Sequence, residues 1–171
     1  MPLSAIASLA GSLAIALCCA WPVPALAQAP GFPNVVAALR TAPGCLGVET
    51  GQTASGRQVI FAWFDGKASL VAWYHSAPHQ QAMKAVYPDL VVERTPLPDL
   101  AEDSGPILAI VSVKFAEPAA PGARPAMTSI GIELYGPLPG GIAVGGRFAP
   151  AALPVRGLRE FEPDVAGRGS R

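Results

Sequence analysis

The chain has 171 residues and equal numbers of basic and acidic side chains, 12 of each, for a formal net charge of zero. It carries no Lys/Arg cluster or basic stripe, which argues against a nucleic-acid partner and against strong attraction to anionic membrane surfaces. Its length suits a single domain.

From Ala5 to Ala20 the sequence is almost wholly apolar and uncharged. A membrane-spanning helix needs about 20 such residues, so the run is too short to span but suits the core of an export signal. Pro22 and Pro24 follow, and Ala25-Leu26-Ala27 places small residues where signal peptidase requires them. The expectation is cleavage after Ala27, a mature chain beginning at Gln28, a periplasmic or secreted location, and no membrane attachment once the signal is removed. Met1 to Ser4 lack the usual Lys or Arg, so the signal is atypical. Cys18 and Cys19 raise the alternative of a lipid anchor. They follow Leu17 and Cys18 rather than a small residue, and read better as soft apolar residues of the signal. Cys45 then stands alone in the mature chain, either buried or paired between chains. The expected organisation is residues 1–27 signal, 28–148 one α+β domain, and 149–171 a flexible tail.

Phe32 to Ala42 has helical spacing, with Asn34 as N-cap and Pro43-Gly44 as terminator. Cys45–Gln52 and Arg57–Asp65 read as the arms of a hairpin around Thr53-Ala54-Ser55-Gly56. The second arm does not alternate: Val59, Phe61 and Trp63 share one side, Ile60, Ala62 and Phe64 the other. A strand apolar on both faces is covered on both. Lys67 to Tyr87 reads as two short helices with a bend at Ser76-Ala77-Pro78, where Ser76 caps the second and Pro78 sits in its first turn. Thr95 to Pro106 is an acidic, proline-bearing loop. Ile107–Phe115 and Thr128–Tyr135 are strands, Ile142–Phe148 a weaker one. From Ala149 onward no periodicity remains.

This order predicts an antiparallel sheet with helices on one face. The second apolar face then calls for a cover, and a second copy of the sheet is the simplest one, so a homodimer is expected.

Val59-Ile60-Phe61-Ala62-Trp63-Phe64, followed by Lys67-Ala68-Ser69-Leu70-Val71-Ala72-Trp73-Tyr74-His75-Ser76-Ala77-Pro78-His79-Gln80, resembles the dimeric α+β barrel superfamily, in its antibiotic-biosynthesis-monooxygenase-like branch. Pro43-Gly44-Cys45-Leu46-Gly47 resembles the P-G-x-x-G passage ahead of that branch's hairpin. The resemblance covers Phe32 to Tyr87. It implies a ferredoxin-like βαββαβ protomer whose sheets pair face to face. Two features depart from it: few residues separate Gln28 from the first helix, too few for the family's opening strand, and extra strands follow Ile107.

His75 and His79 are the two histidines. Their spacing would suit a metal on an unbroken helix, but Pro78 bends the segment and no third ligand is in sequence reach, so no metal site is expected. Trp63, Trp73, Tyr74 and Tyr87 form the aromatic concentration. They read first as core and interface. Under the resemblance they bind a small apolar or aromatic ligand between helices and sheet. In that family some members oxidise polycyclic phenols without a cofactor, and His79 or His75 would then be the base.

No cofactor is expected: the chain has no haem-attachment motif, phosphate-binding glycine loop, G-x-S-x-G elbow or H-E-x-x-H. Gly140, Gly141, Gly145 and Gly146 read as turn residues, and Cys45 lacks a visible activator. The residues alone establish no reaction. A ligand-binding protein, a structural module with a filled core, and a cofactor-free monooxygenase all remain open.

Overall fold

The computed structural model describes residues 35–89, 91–117, 120 and 125–163. The expected signal, Met1–Ala27, and the cap at Asn34 lie outside these residues, as does the end of the chain from 164 onward.

The elements in order are α1 (Val35–Arg40), β1 (Cys45–Gln52), β2 (Gln58–Phe64), α2 (Lys67–Tyr74), α3 (Ala77–Val86), β3 (Ile107–Phe115), β4 (Met127–Tyr135), β5 (Ile142–Val144) and β6 (Arg159–Phe161). The fold is α+β. Its main sheet has four strands in the order β1-β2-β3-β4, and every neighbouring pair is antiparallel. No strand precedes α1 among the described residues, and the sheet is completed by β3 and β4.

The hairpin turn closes as its residues predict. The Thr53 N–H donates to the Arg57 carbonyl, the Arg57 N–H donates back to the Thr53 hydroxyl, and Gly56 turns the chain at φ 79°. Further on, Ser76 at φ −66°, ψ 148° leaves the helical region, and its side chain accepts from the His79 N–H, with Pro in the first turn of α3. This cap both ends α2 and starts α3. The bend sends the chain back along the sheet, so β3 can lie antiparallel beside β2.

Register decides which side chains face the helices. Ile60 pairs with Val111, Ala62 with Ala109 and Phe64 with Ile107. Val111 in turn pairs with Ile132, and Ala109 with Leu134. Directly paired residues share a face, so these residues form one continuous apolar surface. Val36 and Leu39 of α1, with Leu70 and Trp73 of α2, pack onto its β1–β3 portion, and Phe64 is wholly buried there. Nothing comparable among the described residues covers β4, where Ile132 and Leu134 stay exposed.

The opposite face holds Val59, Phe61 and Trp63. Val59 and Trp63 are buried, and the chain itself contributes the cover. Phe148 packs edge-on against Phe61 and Trp63 at ring separations of 5.0 and 5.2 Å. Pro150 sits against Gly47 of β1, and Leu153 is buried. The segment beyond Ala149, read from sequence as a tail, is turns and a strand as far as it is described. Arg147 donates to the carbonyls of Leu153 and Ala151 and pairs with Glu160, while β6 runs parallel to β5. The strand expected over Ile142–Phe148 is only its first three residues, because Gly145 and Gly146 take positive φ.

Candidate functional site

Small side chains set up the site. Ala62 and Ala109 lie side by side in the sheet, and Ala82 faces them from α3. A core filled by leucine or phenylalanine at these points would be solid; alanine leaves space. The result is a cavity of about 650 Å³ between the helices and the sheet. Protein interiors normally hold few voids larger than a water molecule, whereas ligand pockets run from roughly 300 to 1,000 Å³.

Its floor is the apolar sheet surface, including Val111, Val113, Ile130 and Ile132. Its walls are α1 through Val35 and Leu39, α2 through Trp73 and Tyr74, and α3 through His79 and Met83. Because Ile132 and Leu134 line it and are also solvent-exposed, the cavity opens along β4.

A roof comes from the loop after α3, through Glu93, Pro96 and Leu97. Leu97 takes a positive φ of 58°, unusual for a residue other than glycine. The loop is pinned by Lys67, itself 8 % exposed. Lys67 Nζ donates to the Leu100 carbonyl at 2.6 Å and pairs with Glu102 at 2.7 Å.

Polar groups on the wall are few and concentrated at the α2–α3 bend. His79 Nδ1 lies 2.8 Å from the Tyr74 carbonyl oxygen. A carbonyl can only accept, so Nδ1 carries the proton and Nε2 is left as an acceptor. Burial pushes His79 below the usual imidazole range; the Tyr74 carbonyl opposes this and neighbouring His75 adds to it. The imidazole is therefore neutral at physiological pH. The Tyr74 hydroxyl accepts from the Glu93 N–H at 3.1 Å. Gln80 Nε2 also donates to the Tyr74 carbonyl, which fixes the amide and leaves Gln80 Oε1 as a buried acceptor with no partner among the described residues.

The residues singled out from sequence fall into two groups. Trp73, Tyr74 and His79 come together in the cavity, with the His79 ring centroid 5.8 Å from that of Trp73 and 5.3 Å from that of Tyr74. Trp63 does not join them: it points from the other face of β2, into the cluster with Phe61 and Phe148. Tyr87 is exposed beside a shallower depression with Phe115 and Met127. His75 is exposed, with its ring 5.0 Å from Tyr74. Among the described residues no group of three or more His, Cys, Asp or Glu lies together as a metal site. Nor is any described helix long and apolar enough to cross a membrane.

Cys45 is half-buried, and its thiol reaches toward the Gly47 carbonyl at 3.6 Å. Burial pushes its pKa up, partly offset by that contact. A raised pKa suits a packed thiol rather than a nucleophile.

Sequence reasoning did not single out Met83, Glu93, Leu97 or the Lys67 clamp. The buried Lys67 opens α2 directly after Gly66 and gives no pattern that distinguishes it from a solvated lysine.

No protein-family model, characterised protein or solved structure matches the chain.

Proposed function

We propose that this protein binds a small, largely apolar or aromatic molecule in the cavity between its helices and sheet, acting as an exported protein. The single observation that carries this reading is the cavity itself, with its apolar floor and a cluster of Trp73, Tyr74 and His79 at one end. Apolar walls with a few placed polar groups are the usual make-up of small-molecule sites. The same cavity separates this reading from a structural module filled by its own side chains. Native mass spectrometry of the protein purified from its source compartment tests it. The expected spectrum shows a retained small molecule lost on mild activation, on a chain that begins at Gln28; a bare chain with no retained mass opposes the reading.

The antiparallel α+β sheet is compatible with the ferredoxin-like arrangement of the dimeric α+β barrel superfamily, and we extend the proposal to a distant member of that group. Phe148, Pro150 and Leu153 occupy the face by which that group pairs its sheets, so in this reading two copies associate instead along β4, where Ile132, Leu134 and Tyr135 are exposed on an edge strand. Such edges favour pairing with another strand.

One observation favours a second reading, a cofactor-free monooxygenase. His79 presents a neutral imidazole with a free Nε2 in the cavity, suited to take the proton of a phenol that dioxygen then oxidises. Oxygen uptake with a panel of phenols, lost in a folded His79→Ala variant, supports it; no uptake by the unaltered protein opposes it.

A further inference from the structure

The wall of the cavity carries information about its occupant, on the footing that the cavity is a binding site. Two polar atoms matter most. His79 Nδ1 is committed to the Tyr74 carbonyl, so Nε2 is an acceptor. The Tyr74 hydroxyl accepts from the Glu93 N–H, and its own hydrogen has no acceptor among the described residues. These two rings are neighbours, 5.3 Å apart and tilted. A free donor on one ring and a free acceptor on its neighbour are together the complement of a hydroxyl group, which offers both.

Charge narrows the class further. Among the described residues no Lys or Arg lines the cavity, whereas Glu93 does. A carboxylate or phosphate brought here would lose its hydration with no described cation to compensate. A ligand that only accepts would leave His79 Nε2 without a partner.

We infer that the ligand is a neutral, chiefly apolar molecule bearing a hydroxyl group. Its hydroxyl sits between His79 Nε2 and the Tyr74 hydroxyl, and its apolar body lies along Val111, Ile130 and Ile132 toward β4.

The test compares ligands with the same alkyl chain and different heads. The purified protein is loaded with the neutral dye N-phenyl-1-naphthylamine, and 1-decanol, decyl methyl ether and decanoate compete for it. The alcohol both donates and accepts, the ether only accepts, and decanoate is an anion. The expected result is displacement by the alcohol at a concentration at least about tenfold lower than by either of the others, a difference of the size one hydrogen-bonded group produces. Tyr74→Phe, which removes only a hydroxyl, and His79→Phe should each cut that advantage to about threefold or less. His79→Phe also breaks the contact to the Tyr74 carbonyl, so Tyr74→Phe decides if the histidine variant misfolds. Equal displacement by alcohol and ether, preference for decanoate, or an undiminished alcohol preference in Tyr74→Phe overturns the inference while leaving the cavity as a binding site. A dye that never binds saturably overturns the cavity reading, and this one with it.

Discussion

His79 Nδ1 and the Tyr74 carbonyl oxygen lie 2.8 Å apart across the bend between α2 and α3. This contact makes the bend and the polar end of the cavity one unit, since it orients the imidazole and satisfies a carbonyl that the broken helix leaves without a partner of its own.

Burial of the same imidazole makes stability depend on pH. Burial depresses the His79 pKa in the folded state below its ordinary 6.5. Between the depressed value and 6.5 the unfolded chain binds more protons than the folded one. The His79 contribution is therefore full above 6.5 and is lost as pH falls through that window. Thermal midpoints recorded from about pH 8 down to about pH 5 should fall more steeply for the unaltered protein than for His79→Phe. Parallel curves would show that His79 is not the buried neutral group described.

Lys67 makes a comparable clamp with a different split between its partners. Its ammonium is nearly buried and donates to the Leu100 carbonyl, while Glu102 is 79 % exposed at the side chain. Lys67→Met should cost about 1.5–3 kcal/mol, the range for a hydrogen bond to a charged group. It should also speed amide exchange across Pro96–Glu102. Glu102→Gln removes only a screened pair and should cost at most about 1 kcal/mol. Denaturant unfolding of the two variants checks the order, and equal losses would count against the clamp.

The two glycines of Pro43-Gly44-Cys45-Leu46-Gly47 are needed for different reasons. Gly44 sits at φ 72°, and a Cβ there would meet Ser69 Oγ at 2.0 Å, on the side chain that donates to Asp65 at 2.5 Å. Gly44→Ala should lose about 1–3 kcal/mol from the backbone alone. Gly47 has an ordinary φ, but its Cβ would meet Pro150 Cγ at 2.7 Å. Gly47→Ala should therefore be rescued in part by Pro150→Ala, and Gly44→Ala should not. Thermal unfolding of the three single variants and the two doubles with Pro150→Ala reads the difference.

Phe148 is 62 % exposed yet packs on both Phe61 and Trp63. Aromatic pairs of this kind contribute about 0.5–1.5 kcal/mol beyond area burial. Phe148→Ala should lose roughly that much and reduce the near-ultraviolet dichroism of Trp63 without changing dye binding, since the cavity is on the other face. A loss of dye binding would mean that the two faces are coupled.

These particulars show what was legible in the chain. The hairpin, the capped bend at Ser76 and the strand Ile107–Phe115 were readable because Gly56, Ser76 with Pro78, and an unbroken apolar run are local signals. The two apolar faces of β2 correctly demanded two covers. Which segment supplies the second was not readable, because Phe148, Pro150 and Leu153 sit in an aperiodic stretch and reach the sheet through long-range packing. The site divided in the same way. Trp73, Tyr74 and His79 lie on consecutive turns around one bend, so spacing groups them. Trp63 was grouped with them for being aromatic, although strand parity sends it to the other face. The cavity was expected only through the family resemblance and had no local signal of its own, since it depends on Ala62 meeting Ala109 across a strand register.

The central claim is that the helix–sheet cavity is a binding site, and filling it tests this most directly. Equilibrium titration of N-phenyl-1-naphthylamine into the unaltered protein and into Val111→Trp compares an open floor with a blocked one. The account predicts saturable binding to the former and at least about tenfold weaker binding to the latter, with folding intact by circular dichroism. Dye binding that is absent from the unaltered protein, or unchanged in Val111→Trp, would contradict it.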